Sequence, residues 1–326
     1  MPWRETTDPY LIWLSEVILQ QTRVDQGMPY YIRFAHKFPK VQLLAKAKED
    51  EILNLWQGLG YYSRARNLHA AAKEIVSRFH GKFPANYADI RSLRGVGDYT
   101  AAAISSFAFN LPHAVVDGNV YRVISRLYKI DLAQDSAAGK KMVNQIAHEL
   151  LCSKNPGAHN QAMMELGSLI CTPLKPQCES CPVADFCLAH ADKSILKYPV
   201  KKKKIKIRNR YFNYLVISEG KNVLIKKRPP GDVWEGLYDF RLIETENAIS
   251  SLPENDLPFD VVNIRHDKNF THILSHQKIM ADFWFVQVKK IQPRKHERKI
   301  ALNDLEDYPM PQLLIRYLKK ARLASG

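Results

Sequence analysis

The sequence lacks the features that mark membrane-spanning and secreted proteins. No apolar run approaches the roughly 18–20 residues that a membrane-spanning helix needs, so the chain is not expected to cross a bilayer. The start, Met1-Pro2-Trp3-Arg4, has neither the basic nor the apolar part of a secretory leader, and we expect a cytoplasmic protein. Cysteine is scarce, with five in 326 residues. A chain of this length can bury a core without disulfides, and its length predicts about two domains.

Acidic side chains are also in deficit. The chain has 33 acidic and 48 basic side chains, a net charge of +15, which predicts a polyanionic partner such as nucleic acid or an anionic membrane surface. Residues 1–190 carry +4 and residues 191–326 carry +11. Most of the second figure comes from Lys197–Arg210 and Lys289–Lys299. The first of these runs can be a solvated connector or a strap that contacts phosphates, and the sequence leaves both open.

Apolar periodicity divides the chain into a helical part and a mixed part. Amphipathic helices are predicted around 9–22, 41–56, 64–80, 98–109, 119–128 and 138–151. Strands are predicted at Tyr211–Ser218, Asn222–Lys226 and Ile279–Val288, and a last helix at Asp304–Arg322. We therefore expect a helical domain over 1–190, a basic linker over 191–208 and an α+β domain over 209–326.

Four of the five cysteines fall in one window. Cys171, Cys178, Cys181 and Cys187 have the spacing C-x6-C-x2-C-x5-C. Four thiolates can hold a zinc ion or an iron–sulfur cluster. Zinc ribbons usually pair two Cys-x2-Cys arms, and only one such arm exists here. A compact loop over 171–187 around a [4Fe–4S] cluster is favoured, with zinc as the alternative. Cys152 lies on an apolar helix face and is expected in the core.

A glycine turn and an aspartate that precedes a helix are candidate DNA-binding features. Leu93–Ala101 joins two helical stretches, and Gly95 and Gly97 allow a sharp turn whose amide groups can bind a phosphate. The alternative is a tight turn without a ligand. Asp117, in Val-Val-Asp-Gly-Asn-Val, can cap the helix that follows and can also serve a catalytic site.

These motifs together resemble the helix-hairpin-helix DNA glycosylases, through LxGVGxYTA, VDGNVxR and the four-cysteine loop. The resemblance implies a mainly α domain with the hairpin at about 88–109, and places Asp117 at the mouth of the base pocket. Members that also cut the strand have a lysine nucleophile where this chain has Tyr99. A phenol cannot form a Schiff base, so we expect a glycosylase without strong lyase activity.

Glu16 is the second candidate carboxylate. The helix that contains it has one apolar face, made of Tyr10, Leu14, Val17, Ile18 and Gln21. Glu16 falls on the opposite side, next to Trp13 and Gln20. Periodicity alone favours a solvated glutamate. An aromatic and an amide neighbour also suit a pocket that raises the pKa of a carboxyl group.

A closer resemblance covers residues 2–190 almost continuously. PWR, SEVxLQQTRV, GLGYYSRARNLH, GVGxYTAAA, VDGNVxRVxSR and NQAMMELGxxICT together resemble the adenine DNA glycosylases of the MutY family. Residues 208–326 resemble that family's Nudix-like recognition domain, through Lys226–Pro229 and Trp234–Phe240. The helix signature of Nudix hydrolases does not follow Gly236, so this domain is expected to bind rather than hydrolyse.

The resemblance implies excision of adenine from A:8-oxoguanine or A:G mispairs in double-stranded DNA by a monomer in the bacterial cytoplasm. Glu16 is then the general acid and Asp117 the group that stabilises the sugar cation, with Tyr99 and Asn119 bonded to this pair. Tyr61 would wedge into the duplex and Ser275 would read 8-oxoguanine, although Leu274 stands where relatives have phenylalanine. The full set of implied DNA and base contacts is Arg4, Leu19, Gln20, Gln21, Tyr61, Gly95, Gly97, Ser275 and His276.

Two other functions remain open on the sequence alone. One is an endonuclease III-like pyrimidine glycosylase and lyase, against which Tyr99 and the second domain argue. The other is a non-catalytic iron–sulfur protein that binds DNA. Relatives in the resembled family also carry a helix before Pro2–Arg4, so either this member lacks it or its start lies further upstream.

Overall fold

The computed structural model describes residues 1–201, 207–253 and 260–321. The chain forms two compact units, one of residues 1–46 and 67–204, the other of residues 47–66 and 205–326. The first is called the helical unit and the second the sheet unit. The middle of the expected basic linker, residues 202–206, lies outside the described residues. The domain boundaries expected from the sequence therefore remain a prediction.

Helices make up most of the helical unit. In chain order, the α-helices of residues 1–201 are α1 Pro9–Leu19, α2 Val24–Lys37, α3 Val41–Lys46, α4 Glu49–Leu55, α5 Ser63–Arg78, α6 Tyr87–Ser92, α7 Asp98–Phe109, α8 Gly118–Leu127, α9 Ala137–Leu150, α10 Pro156–Glu165 and α11 Leu188–Ala191. Helix α4 and the start of α5 belong to the sheet unit. Short 3-10 turns at Pro2–Arg4, Cys178–Ser180, Ala184–Phe186 and Ile195–Lys197, and a π-helical turn at Leu166–Ile170, complete this part of the chain.

Side-chain caps set where several of these helices begin. The Asp8 carboxylate accepts a hydrogen bond from the Tyr10 amide at 2.8 Å, and Pro9 occupies the first turn of α1. Ser136 caps α9 in the same way, through the Gly139 amide at 3.0 Å. Asn155 precedes Pro156 and caps α10. These signals are local, and they place the helix starts by satisfying amides that have no partner within the helix.

The predicted helices at 9–22 and 41–56 are both too long. Helix α1 ends at Leu19, and Gln21 has a left-handed φ of 53°, so Gln21 is exposed and not part of the core face. The second segment splits into α3 and α4, and the three acidic residues at 49–51 begin the new helix, where they match the positive end of its dipole.

In the helical unit, sequence reasoning also missed helices α2 and α10 and misplaced one cysteine. Helix α2 was not predicted, because it contains Gly27 and Pro29, which are poor helix formers. Helix α10 was not predicted either, since it has little amphipathic pattern. Cys152 is exposed and not in the core, because α9 ends at Leu150 and the expected apolar face does not continue to residue 152.

The core of the helical unit is built around α1 and α8. Trp13, Leu14 and Ile18 of α1 are fully buried. The apolar side of α8 is buried with residues that follow it and with α9, through Val120, Ile124, Ile130 and Val143. Both helices begin at aspartate caps, and both carry a carboxyl group of the candidate site. Packing therefore holds the two carboxyl groups on rigid elements.

The sheet unit contains one mixed sheet. Within the described residues its strands are β1 Arg208–Glu219, β2 Asn222–Lys227, β3 Tyr238–Asp239, β4 Arg241–Thr245, β5 Val261–Ile273, β6 Gln277–Val288 and β7 Glu297–Ala301. Their order is β3-β2-β1-β6-β5, with β4 paired to β1 and β7 to β2. Strands β1 and β6 are parallel, and the other pairs are antiparallel. The three predicted strands are thus present, and β3, β4, β5 and β7 were missed because they are short or mostly exposed.

The predicted helix at 304–322 is interrupted. A 3-10 turn covers Leu302–Asp307, and helix α12 covers Gln312–Lys320. Pro309 and Pro311 lie between them and cannot continue a helix. Helix α12 packs on the sheet through Tyr317, whose ring stacks on Phe283 at 3.8 Å between centroids. Among the described residues, no helix has the length and apolar composition to span a membrane.

Candidate active site

Helix α1 places Glu16 in the wall of a cavity. Its neighbour Ser15 and Trp13, about one helical turn earlier, are both fully buried. Glu16 is therefore enclosed by protein, with part of its side chain facing the cavity. The solvated glutamate that periodicity favours is wrong, because residues of other elements cover the polar side of α1.

Burial changes the acidity of Glu16. Desolvation, with a smaller contribution from the charge of Asp117, raises the pKa of Glu16 from 4.5 to about 7. A hydrogen bond with Tyr99 and the positive charge of Arg4 act in the opposite direction and lower this pKa. The pKa of Tyr99 is itself raised well above its usual value, first by burial and then by Glu16, so Tyr99 remains a neutral phenol.

Asp117 lies at the start of α8, where main-chain amides surround it. One of its carboxylate oxygens accepts hydrogen bonds from the Asn119 amide at 2.8 Å and the Val120 amide at 2.7 Å. The other accepts a bond from Asn119 Nδ2 at 2.8 Å. The expected contact of Asn119 with the carboxyl pair is therefore present. Asp117 is a helix cap and a cavity residue at the same time.

Two cavities meet at these carboxyl groups. The inner cavity, of about 260 Å³, has a mixed lining that includes the large apolar side chains Trp3, Ile12, Phe107 and Met164. The outer cavity, of about 750 Å³, is more open to the solvent. The residues that line both are Glu16, Leu19, Tyr99 and Asp117. A flipped nucleotide can therefore place its flat base in the inner cavity and its sugar and phosphate in the outer one.

The predicted base and DNA contacts of the helical unit surround the same cavities. Arg4 lines the inner cavity from the 3-10 turn at Pro2–Arg4 and forms an ion pair with Glu165. Leu19, Gln20 and Gln21 line the outer cavity, and Gln20 Nε2 donates to Thr100 Oγ1 at 3.2 Å.

The hairpin turn between α6 and α7 has the geometry that the two glycines suggested. Gly95 has a φ of 77°, and a Cβ there would lie 2.6 Å from Asn67 Cβ. Only glycine fits both the conformation and the space. Gly97 is the N-cap of α7. The positive end of α7 thus follows a tight turn, an arrangement that can bind a phosphate through main-chain amides.

The four cysteines line one small cavity together with Arg126, Ile170 and Ile195. Four thiols around one cavity are a ligand set that can hold an iron–sulfur cluster or a zinc ion. Arg126 Nη1 lies 3.2 Å from Cys171 Sγ and would counter the negative charge of a bound thiolate.

Arg122 connects the cysteine loop to the site. Its Nε donates to the Cys171 carbonyl at 2.7 Å, and its Nη2 donates to Asn119 Oδ1 at 2.9 Å. Asn119 in turn donates to Asp117. Sequence reasoning did not assign a role to Arg122, although it is the final residue of the quoted VDGNVxR motif. Its position one helical turn after Asn119 was the signal that could have found it.

Tyr61 and Ser275 meet within the sheet unit. Ser275 and His276 lie in the turn between β5 and β6, and Tyr61 lies between α4 and α5. Tyr61 Oη and Ser275 Oγ are 2.7 Å apart. Tyr61 is 49% exposed and has a φ of 47°, so it lies at the surface and not in the core. His276 is exposed and Leu274 is half-buried.

Comparisons with known proteins identify the family. Residues 14–151 match the family described as HhH-GPD superfamily base excision DNA repair protein. The adenine DNA glycosylase of Buchnera aphidicola subsp. Baizongia pistaciae is 33% identical over 331 residues, which cover 99% of this chain and 92% of the relative. That of Buchnera aphidicola subsp. Schizaphis graminum is 36% identical, covering 85% and 80%. This chain belongs to the adenine DNA glycosylase family.

Other matches cover the remaining parts of this adenine DNA glycosylase family member. Residues 171–187 match the iron–sulfur binding domain of endonuclease III, which confirms the iron–sulfur prediction. Residues 213–320 match the NUDIX domain. A solved thermostable thymine-DNA glycosylase is 30% identical with a TM-score of 0.55, covering 59% of this chain and 88% of that chain. The predicted fold class, a helix-hairpin-helix domain followed by a Nudix-like α+β domain, is confirmed.

Proposed function

We propose that this family member removes adenine that is mispaired with 8-oxoguanine or guanine in double-stranded DNA. The observation that supports this most is the pair Glu16 and Asp117, two carboxyl groups in unlike surroundings at the junction of a base-sized inner cavity and a wider outer cavity. Cleavage of a glycosidic bond needs one carboxyl group that keeps its proton and one that stays charged. The names of the relatives agree with adenine as the base.

In this proposal Glu16 is the general acid. With a pKa of about 7, a large fraction of Glu16 is protonated at neutral pH and can donate to N7 of an adenine held in the inner cavity. Protonation makes adenine a better leaving group. After the bond breaks, the Glu16 carboxylate takes a proton from the attacking water. Tyr99, which is hydrogen-bonded to Glu16, holds the carboxyl group in place.

Asp117 is the charged partner. The two main-chain amides and Asn119 Nδ2 each donate a hydrogen bond to its carboxylate and so hold it in a fixed orientation. A negative charge at this position stabilises the positive charge that develops on the deoxyribose as the base departs. Because Tyr99 stands where a nucleophilic lysine would be, we expect no stable covalent bond to the sugar through an amine.

The turn between β5 and β6 is proposed to read the opposite base. Ser275 offers a hydroxyl group to 8-oxoguanine, and Tyr61, already bonded to Ser275, enters the duplex beside it. His276 is an exposed candidate for a phosphate contact. Leu274 can pack against a base but cannot stack on it as an aromatic ring does. We also propose that the protein acts on DNA as a monomer in the cytoplasm.

Cys171, Cys178, Cys181 and Cys187 are the residues that would hold the iron–sulfur cluster. When bound, the cluster cross-links the loop between Ile170 and Leu188 and so shapes it. Arg126 supports the same loop by donating to the carbonyls of Thr172 at 2.8 Å and Pro173 at 2.9 Å. Arg122 joins this loop to Asn119, as described above.

The direct test is single-turnover excision by Glu16→Gln on duplexes that contain A:8-oxoguanine, A:G and A:C pairs. We expect excision to fall by at least about a hundredfold, the usual effect of losing a general acid. Glu149→Gln, on the exposed side of α9, is the matched control and should excise normally. Near-normal excision by Glu16→Gln would contradict the proposal. A protein–DNA adduct trapped by borohydride would favour the lyase alternative instead.

A further inference from the structure

One wall of the outer cavity has no role in the chemistry proposed so far. It is formed by Gln134, Asp135, Lys140 and Asn144, which come from α9 and from the segment just before it. None of these residues belongs to a motif that the sequence singled out. They share the cavity with Glu16, Tyr99 and Asp117, so any nucleotide that reaches the two carboxyl groups must lie within reach of this wall.

Charge makes this wall important for a negatively charged substrate. The charged side chains among the described residues that line the outer cavity are Glu16, Asp117, Asp135 and Lys140. Three of them are acidic, and a phosphodiester that entered the cavity would be repelled by each ionised carboxylate. Lys140 is the cation of this set. A phosphate in the cavity therefore gains most by lying next to Lys140.

The start of α9 adds a second source of positive potential. This helix has 14 residues and no acidic side chain in its first turn, so the positive end of its dipole is opposed only from outside the helix, by Asp135 before the N-cap. Ser136 satisfies the amide of Gly139. Lys140 follows at once, so its ammonium group and the positive end of α9 belong to the same short stretch of chain.

An unpaired buried hydroxyl group lies at the same place and points independently to a ligand. Tyr121 lines the outer cavity and is only 5% exposed, and its Oη has no hydrogen-bond partner among the described residues. A Cβ added to Gly139 would lie 2.7 Å from this Oη. The missing side chain of Gly139 thus lets the hydroxyl group lie against the first turn of α9. A buried hydroxyl group without a partner is costly unless a ligand accepts its proton.

We infer that this wall is a binding site for the DNA phosphodiester next to the flipped nucleotide. Lys140 and the start of α9 attract the phosphate, and the Tyr121 hydroxyl group, unpaired among the described residues and packed against the first turn of α9, is the neutral donor at this wall. The inference rests on the proposed function only in placing the base in the inner cavity. Asp135 lies in the same wall, so the site suits the single charge of a phosphodiester and disfavours the double charge of a phosphomonoester.

The test compares Lys140→Ala with Lys141→Ala. Both remove one positive charge from α9, but Lys141 does not line the cavity. Binding is measured against salt concentration on a duplex with a tetrahydrofuran abasic analogue opposite 8-oxoguanine, which needs no base excision. We expect Lys140→Ala to bind several-fold more weakly than Lys141→Ala and to lower the salt slope by about one. Equal affinities and slopes for the two variants would overturn the inference.

Two further measurements locate the contact. Neutral methylphosphonates are placed one at a time along the strand that carries the analogue. The wild-type protein should lose affinity when the phosphate adjacent to the analogue is replaced. Lys140→Ala, which already lacks the contact, should lose no further affinity from this replacement. Equal losses for both proteins at every position would contradict the site. Tyr121→Phe should weaken binding without lowering the melting temperature, because its hydroxyl group has no partner to lose.

These measurements separate the two proposals. If the wild-type protein binds DNA through Lys140 but releases no adenine, the proposed function fails and the phosphate site stands. If adenine is released and Lys140→Ala binds like Lys141→Ala, the phosphate site fails and the proposed function stands.

Discussion

Single residues decide the chemistry through their surroundings. Glu16 and Asp117 are both carboxylic acids, but one is desolvated beside a phenol and the other accepts hydrogen bonds from helix amides. The sequence suggested both residues, yet the burial that raises the pKa of Glu16 and the amides that hold Asp117 come from the packing of α1, α7 and α8. Removing or neutralising one neighbour of Glu16 should therefore change the pKa of this carboxyl group.

The first prediction at this scale concerns the pH dependence of excision. Glu16 must be protonated to act as an acid, so the single-turnover rate should fall as pH rises through about 7. Tyr99 stabilises the ionised form of Glu16 through a hydrogen bond. Tyr99→Phe should therefore move the midpoint of the profile to higher pH. A profile that is unchanged in this variant would show that the phenol does not act on Glu16.

The second prediction concerns stability. The unfolded chain loses the Glu16 proton near pH 4.5 and the folded protein near pH 7, so the free energy of unfolding falls between these values. The full effect is about 3 kcal/mol at most. Glu16→Gln carries no such charge, and it should melt at a higher temperature than the wild type at about pH 8. The difference should shrink at about pH 5, and Glu149→Gln should show no such dependence.

At the scale of elements, close packing holds Asp117 and Asn119 in place. The π-helical turn at Leu166–Ile170 approaches the start of α8 so closely that a Cβ on Gly167 would lie 2.6 Å from Asn119 Cβ and 2.9 Å from its main chain. Main-chain atoms cannot move aside as the end of a flexible side chain can. The absence of a side chain at Gly167 is therefore a condition for the geometry of Asp117.

Gly167→Ala should consequently displace the start of α8. We expect a loss of about 1–3 kcal/mol in the free energy of unfolding, typical of overpacking, together with slower excision. Ser168→Ala, the exposed neighbour, is the control and should change neither. Urea unfolding and single-turnover assays check both effects. Unchanged stability in Gly167→Ala would mean that the turn is looser than its contacts with Asn119 indicate.

The cysteine loop is the second element with a measurable consequence. Cys181→Ser should reduce the bound iron and the visible absorbance of the purified protein, because one of the four proposed ligands is lost. The Cys171 and Pro173 carbonyls that Arg122 and Arg126 hold would then be less ordered. Cys152→Ser removes the exposed fifth cysteine and should keep the full iron content. Loss of iron in both variants would contradict the assignment of the ligands.

At the scale of the whole molecule, charge and chemistry are carried by different residues. The excess of +15 lies mostly in residues 191–326, whereas the candidate site depends on neutral and acidic side chains together with Arg4 and Lys140. Such a distribution predicts binding that is sensitive to salt and has little sequence preference. Selectivity then depends on a few groups that contact the two bases.

The separation between charge-driven DNA binding and the chemistry of the site can be measured. DNA affinity should fall steeply as salt rises, because bound phosphates release counterions. The single-turnover rate of a complex that is kept saturated with protein should change little over the same range, because salt screens the partly buried charges of Glu16 and Asp117 less than exposed charges. Titration of the same duplex at several salt concentrations, with the rate measured at each, checks both parts. A rate that falls in parallel with the affinity would contradict this separation.

Sequence reasoning succeeded where the signal is local. The cap Asp117, the glycines of the hairpin turn and the spacing of the cysteines each depend on residues close in the chain. It failed for α2, which contains the poor helix formers Gly27 and Pro29, and for Cys152 and Gln21, whose expected burial depended on helices that end earlier. It also missed Lys140 and Tyr121, which reach the cavity only through the packing of α8 and α9.

The sequence by itself determined the family, the four cysteines and the two carboxylates, because motif spacing is a property of the chain. Only the tertiary structure decided that Glu16 is shielded from water, that Tyr99 and Asp117 face it, and that Arg122 links the cysteine loop to Asn119. It also decided that 47–66 groups with the sheet unit. The reason is physical: a pKa and a cavity depend on what surrounds a group, and those surroundings come from segments that are far apart in sequence.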